Sequence, residues 1–237
     1  MIPVYYDLHI HSALSPCADN DMTPNDIVGM ALLNNLDLIA ITDHNTMANV
    51  QSVINAAKTA DLIVLPGIEV ATVEEVHVLC LFPDIKPAIS FEEELTPYYS
   101  VIPNRIDIFG NQYLFDEEDR LIGELARMLI APASISFDDL YYLTHKYSGA
   151  FIPAHIDRKT FSVISNLGFL PPHLQINTVE ISLKGYDEGF DRHNADLFAP
   201  RNAIFSSDAH QLWVINERKN FLKLPEKTAK AAIDFLR

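Results

Sequence analysis

Cysteine is almost missing from this 237-residue chain; only Cys17 and Cys80 occur. Two thiols cannot build a disulfide framework and suit a reducing compartment, so a cytoplasmic location is expected. Long apolar runs are missing as well. None approaches the roughly 18 residues that span a bilayer, and Met1-Ile2-Pro3-Val4-Tyr5-Tyr6-Asp7 lacks the basic region of a signal peptide, so no membrane partner is expected. Basic residues are scarce, 17 Lys and Arg against 32 Asp and Glu, a formal charge of −15. Such a balance disfavours broad attraction to a polyanion, so a long nucleic acid is not expected as a partner and any phosphate must be gripped locally.

What is present suffices for one core. With 49% hydrophobic and 21% charged residues, the length fits a single domain over residues 1–237. Short apolar runs predict seven strands: Val4–Ile10, Leu36–Thr42, Leu62–Pro66, Val76–Phe82, Ala150–Ala154, Thr178–Ser182 and Ala203–Ser206. Helical patterns fit between several of them, at Pro24–Asn34, Met47–Thr59, Phe137–Lys146 and Phe161–Asn166, with a closing helix at Glu226–Leu236. Thr23-Pro24 reads as a helix start, and Ser90-Phe91-Glu92-Glu93 as a capping box. Alternation of strand and helix argues for a parallel α/β sheet, either a barrel or doubly wound. Residues 86–133 break the rhythm with a helix and a hairpin around Asp116-Glu117-Glu118-Asp119, read as an insertion over the barrel mouth. Nine acidic residues against four basic ones give the insertion a charge of −5, a poor clamp for a long polyanion.

The positions of the histidines carry the chemistry. His9 and His11 are two apart on the first strand, so both imidazoles share a face, and Asp208 and His210 repeat that spacing after the last barrel strand. Asp43-His44 follows the second strand, Glu69 follows the third across Gly67, His77 lies in the fourth and His155 closes the fifth. In a parallel barrel these strand ends meet at one mouth. Imidazole and carboxylate suit divalent Zn, Mn or Fe, and the set is too large for one ion. A carboxylate such as Glu69 can bridge two ions roughly 3.5–4 Å apart, the arrangement that activates water for attack at phosphorus. His145, His173 and His193 lie outside this pattern, His193 in a loop on the mouth side, and the single tryptophan, Trp213, suits either packing or the pocket.

Asp7-Leu8-His9-Ile10-His11-Ser12, Ile41-Thr42-Asp43-His44-Asn45, Pro66-Gly67-Ile68-Glu69-Val70, Pro153-Ala154-His155 and Ser207-Asp208-Ala209-His210 resemble, in order, the motifs of the PHP (polymerase and histidinol phosphatase) family. The resemblance implies a distorted (β/α)7 barrel, a trinuclear metal site and phosphoesterase activity, and two or three Zn, Mn or Fe ions per chain are expected. It implies that His9, His11, Glu69 and Asp208 hold one ion, Glu69 bridging to a second held by His77 and His155. His44 and His210 then belong to a third. The sequence departs from the family where many members place an Asp or His soon after the second histidine. Here Cys17, Asp19 and Asp21 are the alternatives, and spacing favours Cys17.

Arg158, three residues after His155, is the phosphate-gripping candidate, since a guanidinium forks onto two oxygens; Lys184 is a weaker one. An acid near His210 would assist the leaving oxygen, with Glu69 between the ions and Asp43 either orienting His44 or serving as a metal-linked base. The expected substrate is a small phosphomonoester or a nucleotide. A nuclease on short DNA or RNA is the alternative; it calls for a basic groove that neither the total charge nor the insertion offers. A non-catalytic, metal-binding regulatory domain would have lost ligands, whereas nearly all remain.

Overall fold

The computed structural model describes residues 1–199 and 201–237. In chain order the elements are β1 (Ile2–Ile10), α1 (Pro24–Leu33), β2 (Leu38–Ile41), α2 (Val50–Ala56), β3 (Ile63–Ala71), β4 (His77–Leu81) and α3 (Ile85–Leu95). There follow α4 (Ile106–Phe109), the hairpin β5 (Tyr113–Phe115) and β6 (Leu121–Glu124), α5 (Phe137–Lys146), β7 (Ala150–Pro153), α6 (Val163–Leu167) and β8 (Thr178–Glu180). The last elements are α7 (Leu183–Asp187), α8 (Phe190–His193), α9 (Ala195–Phe198), β9 (Asn202–Ile204), β10 (Phe221–Leu224) and α10 (Ala229–Leu236).

A six-stranded sheet ordered β10-β1-β2-β3-β4-β7 curls toward the parallel pair β8-β9. Hydrogen bonds close the ring: Ile156 N donates to Glu180 O on one side, and His11 N to Ala209 O on the other, both at 2.9 Å. The seven strands β1–β4 and β7–β9 thus form the distorted α/β barrel the sequence predicts. Its lumen is filled by alternate residues such as Leu8, Leu38, Leu65, Leu79 and Ile152, sealed at one end by α10. The opposite faces, with Ile39, Ile41, Ile68 and Val78, pack outward in a separate cluster with α1, α2, α3 and α5.

Three expectations are corrected. The sheet is not wholly parallel: β4 runs antiparallel to both β3 and β7. Only residues 72–76 join β3 to β4, too few for a helical crossover, so the chain must reverse. This reversal brings the first residue of β4, His77, beside Ala71, near the end of β3 that carries Glu69. Strand β10 was not foreseen; it is a short edge strand antiparallel to β1. The capping box at Ser90 is interior to α3, which starts at Ile85 with Asp84 accepting from Lys86 N. Glu92 instead accepts from Met47 N and Thr46 Oγ1.

Gly67 marks where β3 leaves β2 for β4. A Cβ there would lie 2.7 Å from Leu81 and 2.9 Å from Ile41 O, so no larger residue fits. The segment 86–133 is fastened to loops that follow β1 and β2. Tyr113 N donates to Ala13 O at 2.9 Å, Asn49 Nδ2 to Tyr113 O at 3.0 Å, and Asn45 Nδ2 to Leu129 O at 2.7 Å. No helix among the described residues is long and apolar enough to cross a membrane.

Candidate active site

A bulge in β1 builds the first half of the site. The register with β2 passes from Asp7↔Ile39 to Ile10↔Ile41, three residues against two. Leu8 packs in the lumen and Ile10 in the outer cluster, so the extra residue resets the alternation and turns His9 and His11 inward above Leu8. Glu69 and His77 share the inner phase of their strands with Leu65 and Leu79. His155 and Asp208 follow β7 and β9 with positive φ of 29° and 52°, strained conformations that aim their side chains where extended backbone would not.

One buried carboxylate meets five imidazoles. Glu69 oxygens lie 2.8 Å from His44 Nδ1, 2.9 Å from His77 Nδ1, 3.2 Å from His155 Nε2, 3.4 Å from His9 Nε2 and 3.5 Å from His11 Nε2. Asp208 Oδ1 lies 3.2 Å from both His9 Nε2 and His11 Nε2, which are themselves 3.1 Å apart. Ligands around a tetrahedral Zn-sized ion, with bonds of about 2.0–2.1 Å, are separated by roughly 3.3 Å, so this donor triangle fits one ion. The outer nitrogens of both rings are occupied: His9 Nδ1 binds Glu180 at 2.9 Å and His11 Nδ1 binds Ser15 Oγ at 2.9 Å, leaving each Nε2 free to ligate.

A second observation points the same way. Glu69 Oε2 and His44 Nδ1 are buried 2.8 Å apart without hydrogen-bond geometry, as two lone pairs directed at a common cation would be. His11, His44 and His210 form a further trio whose ligand atoms lie within 4.8 Å of one another. Cys17, exposed, is the thiol that feels this trio. Burial alone would raise that thiol, yet the imidazoles of His210 and His44 bring it down to about 7. The residues present fit a metal centre.

Electrostatics follow from the crowding. Burial works against charge on Glu69, but His77, His9 and His44 hold it well below the usual carboxylate range. Burial would likewise lower His9, and Glu180, Asp208 and Glu69 raise it well above an ordinary histidine. Burial, His210 and His44 together push His11 well below, so it is a neutral donor.

Asp43 does not face the cluster. Its oxygens accept from Ser12 N, Ser12 Oγ and Ser15 Oγ at 2.7–2.8 Å, and Ser15 in turn holds His11. Asp43 is thus linked to His11 through Ser15. Arg158, 43% exposed, pairs with Asp208 Oδ2 at 2.7 Å. It shares a cavity of about 630 Å³ with Lys159 and Lys184. Asp157 beside it is committed to Ser182 N and Oγ. Asp19 meets His210 through a backbone bond, Asp19 N to His210 O, and Asp21 is exposed. His145 binds Tyr141 O, His173 pairs with Asp138 at the surface, and His193 is exposed in α8. Trp213 is 68% exposed in a 3-10 turn.

Sequence reasoning missed Glu180 and Asp7. Asp7, fully buried, accepts from Ser207 N, Ser207 Oγ and Asn216 N, and so anchors the loop that carries Asp208. Burial outweighs those bonds and lifts its carboxyl to about 6. Its place as the first residue of the first motif was the available signal.

The PHP domain model matches residues 7–194. The 5'-3' exoribonuclease Rnm of Salmonella typhimurium is 34% identical over 87 residues, 35% of this chain and 29% of that protein. The lesion-specific endonuclease PfuEndoQ of Pyrococcus furiosus aligns with a TM-score of 0.67 at 19% identity, covering 99% of this chain and 56% of that one. Endonuclease Q in complex with a 27-mer duplex bearing an abasic lesion aligns with a TM-score of 0.67 at 17% identity, over 98% of this chain and 56% of that one. The chain thus spans less than a third of the curated relatives it matches and just over half of these endonucleases.

These findings correct the expectation that the partner is a small phosphorylated molecule and not a long nucleic acid. Endonuclease Q, which shares this fold, is seen in complex with a duplex, and the matched relatives bear the names of exoribonucleases. Net charge is a sum over the whole surface and does not exclude a local site; one cavity brings Arg158, Lys159 and Lys184 together beside Asp157 and Glu188. With the domain model covering most of its length and the motifs converging on one barrel mouth, the chain belongs to the PHP domain family of metal-dependent hydrolases that act on phosphoester bonds.

Proposed function

We propose that this protein is a nuclease that hydrolyses phosphodiester bonds in short or terminal nucleic acid. The observation that carries this reading is the buried Glu69 carboxylate within 3.5 Å of five imidazoles, with an arginine at the rim. The names of the exoribonuclease and endonuclease relatives support nucleic acid as the substrate class.

His9, His11, Asp208 and Glu69 would hold one ion, Glu69, His77 and His155 a second, and His44, His210 and Cys17 a third, as Zn, Mn or Fe. Divalent ions bound there supply neutralisation of phosphate charge and activation of water. Arg158 grips the non-bridging oxygens, its guanidinium already oriented by Asp208. His210 Nδ1 is taken by Asp208 O at 2.8 Å, so an acid near His210, rather than its ring, would donate a proton to the leaving oxygen. Residues 86–133, tied to the loops after β1 and β2, form an insertion over the mouth that limits which strands enter. Two cysteines that form no disulfide suit the reducing cytoplasm.

The test is hydrolysis of 5'-labelled RNA and DNA oligonucleotides by protein loaded with Mn²⁺ or Zn²⁺, beside a chromogenic phosphomonoester. Shortened oligonucleotides that fail to form with Glu69→Gln support the reading. Turnover of the monoester alone overturns it.

A further inference from the structure

One loop, residues 155–162, carries three side chains of different chemistry to the same mouth. His155 meets Glu69 at 3.2 Å, Arg158 meets Asp208 at 2.7 Å, and the Phe161 ring stacks on His77 with centroids 4.8 Å apart and planes 22° apart. The loop is tied internally. Arg158 N donates to His155 O at 2.9 Å, and Ser162 Oγ donates to Arg158 O at 2.8 Å while accepting from Ser165 N at the start of α6. His77 N donates to Phe161 O at 3.0 Å, fixing the aromatic residue above the imidazole it covers.

Phe161 is unusual on two counts. Its φ is 56°, a left-handed conformation that a bulky aromatic residue adopts only at a cost in free energy. Core burial does not repay that cost, because the residue remains 46% exposed. One face of the ring lies on His77 and much of the rest is open to the solvent from which a substrate would arrive. Isolated exposed apolar residues are ordinary, but a strained one layered on a ligand-type histidine, three residues from the phosphate-gripping arginine, is a flat π surface held ready at the reacting centre.

We propose that the outward face of Phe161 is a stacking platform for the nucleobase adjoining the scissile phosphate. The inference rests on the nuclease reading above and adds how the strand is oriented within it. Every base has a π face, so such a platform tolerates any sequence while requiring that a base be present. Arg158 and Phe161 would then act as a pair, the first holding the phosphate and the second the base beside it. Because both ride on one tied loop, their spacing is set before substrate binds.

The experiment compares kcat/KM on two short oligonucleotides, one with a normal base and one with an abasic residue beside the cleaved bond, for wild type, Phe161→Ala and Phe161→Trp. Wild type should favour the normal strand by roughly 5–150-fold, the range that one base–aromatic stack supplies. Phe161→Ala should lose most of that preference and Phe161→Trp should retain it, with bound metal unchanged in both. Equal slowing of both substrates by Phe161→Ala, or a wild type indifferent to the missing base, overturns the stacking role while the nuclease reading stands. Absence of cleavage on either strand overturns the nuclease reading and this inference with it.

Discussion

His9 Nδ1 lies 2.9 Å from Glu180 Oε2, and both side chains are buried. The same Glu180 carboxylate accepts from His155 N at 3.1 Å, so one residue of β8 steadies ligand-type histidines from two other strands. A carboxylate on the far nitrogen of a histidine fixes its tautomer and strengthens the near nitrogen as a donor.

Glu180→Ala should therefore weaken binding of the ion shared by His9, His11 and Asp208 by about 10–100-fold. Glu180→Gln keeps an acceptor oxygen and should weaken it less. Calorimetric titration of metal-free protein measures both, and unchanged affinity in Glu180→Ala would remove the positioning role.

Glu69→Gln should be the most damaging single change. It takes a negative charge from the midst of five imidazoles, so elemental analysis should find at least one ion fewer per chain than in wild type, with hydrolysis lost. A variant that keeps its full metal content and its activity contradicts the bridging role.

Arg158→Ala should lower kcat/KM by the equivalent of about 2–4 kcal/mol, as loss of a donor to a developing charge does. Metal content should stay the same. A lowered melting temperature with intact kinetics would mark the Asp208 pairing as purely structural.

Cys17 offers a test that depends on pH. Its thiol is brought from 9.0 down to about 7, so in chelator-treated protein the reactive thiolate is present above pH 7 and is lost as pH falls through it. Iodoacetamide labelling of metal-free protein should follow that curve, and metal loading should suppress it at every pH. Labelling indifferent to metal, with loss of an ion in Asp19→Asn or Asp21→Asn instead, would return Cys17 to packing.

The ligand-type residues were legible in the sequence because their signals are local. His9 and His11 share a face through a two-residue period, and Glu69 and Asp208 stand in short, ordered motifs. Residues whose roles arise only when distant strands meet were not legible. Glu180 was visible as part of a strand, but nothing near it in sequence says that β8 lies against His9. The reversal of β4 was missed because its apolar run reads alike in either direction; the brevity of residues 72–76 was the clue. Phe221–Leu224 is too short, with Phe221 and Lys223 exposed, to stand out as β10. Global charge misled about the partner because it is a sum over the whole surface and says nothing of any one cavity, such as the one that Arg158, Lys159 and Lys184 line.

The most direct test of the central claim is product analysis by gel of a 5'-labelled RNA oligonucleotide incubated with metal-loaded wild type, metal-stripped wild type and Glu69→Gln. The expected result is shortened RNA with the first sample alone, restored to the second by added Mn²⁺ or Zn²⁺. Intact RNA in all three, or equal cleavage in all three, would contradict a Glu69-centred metal nuclease.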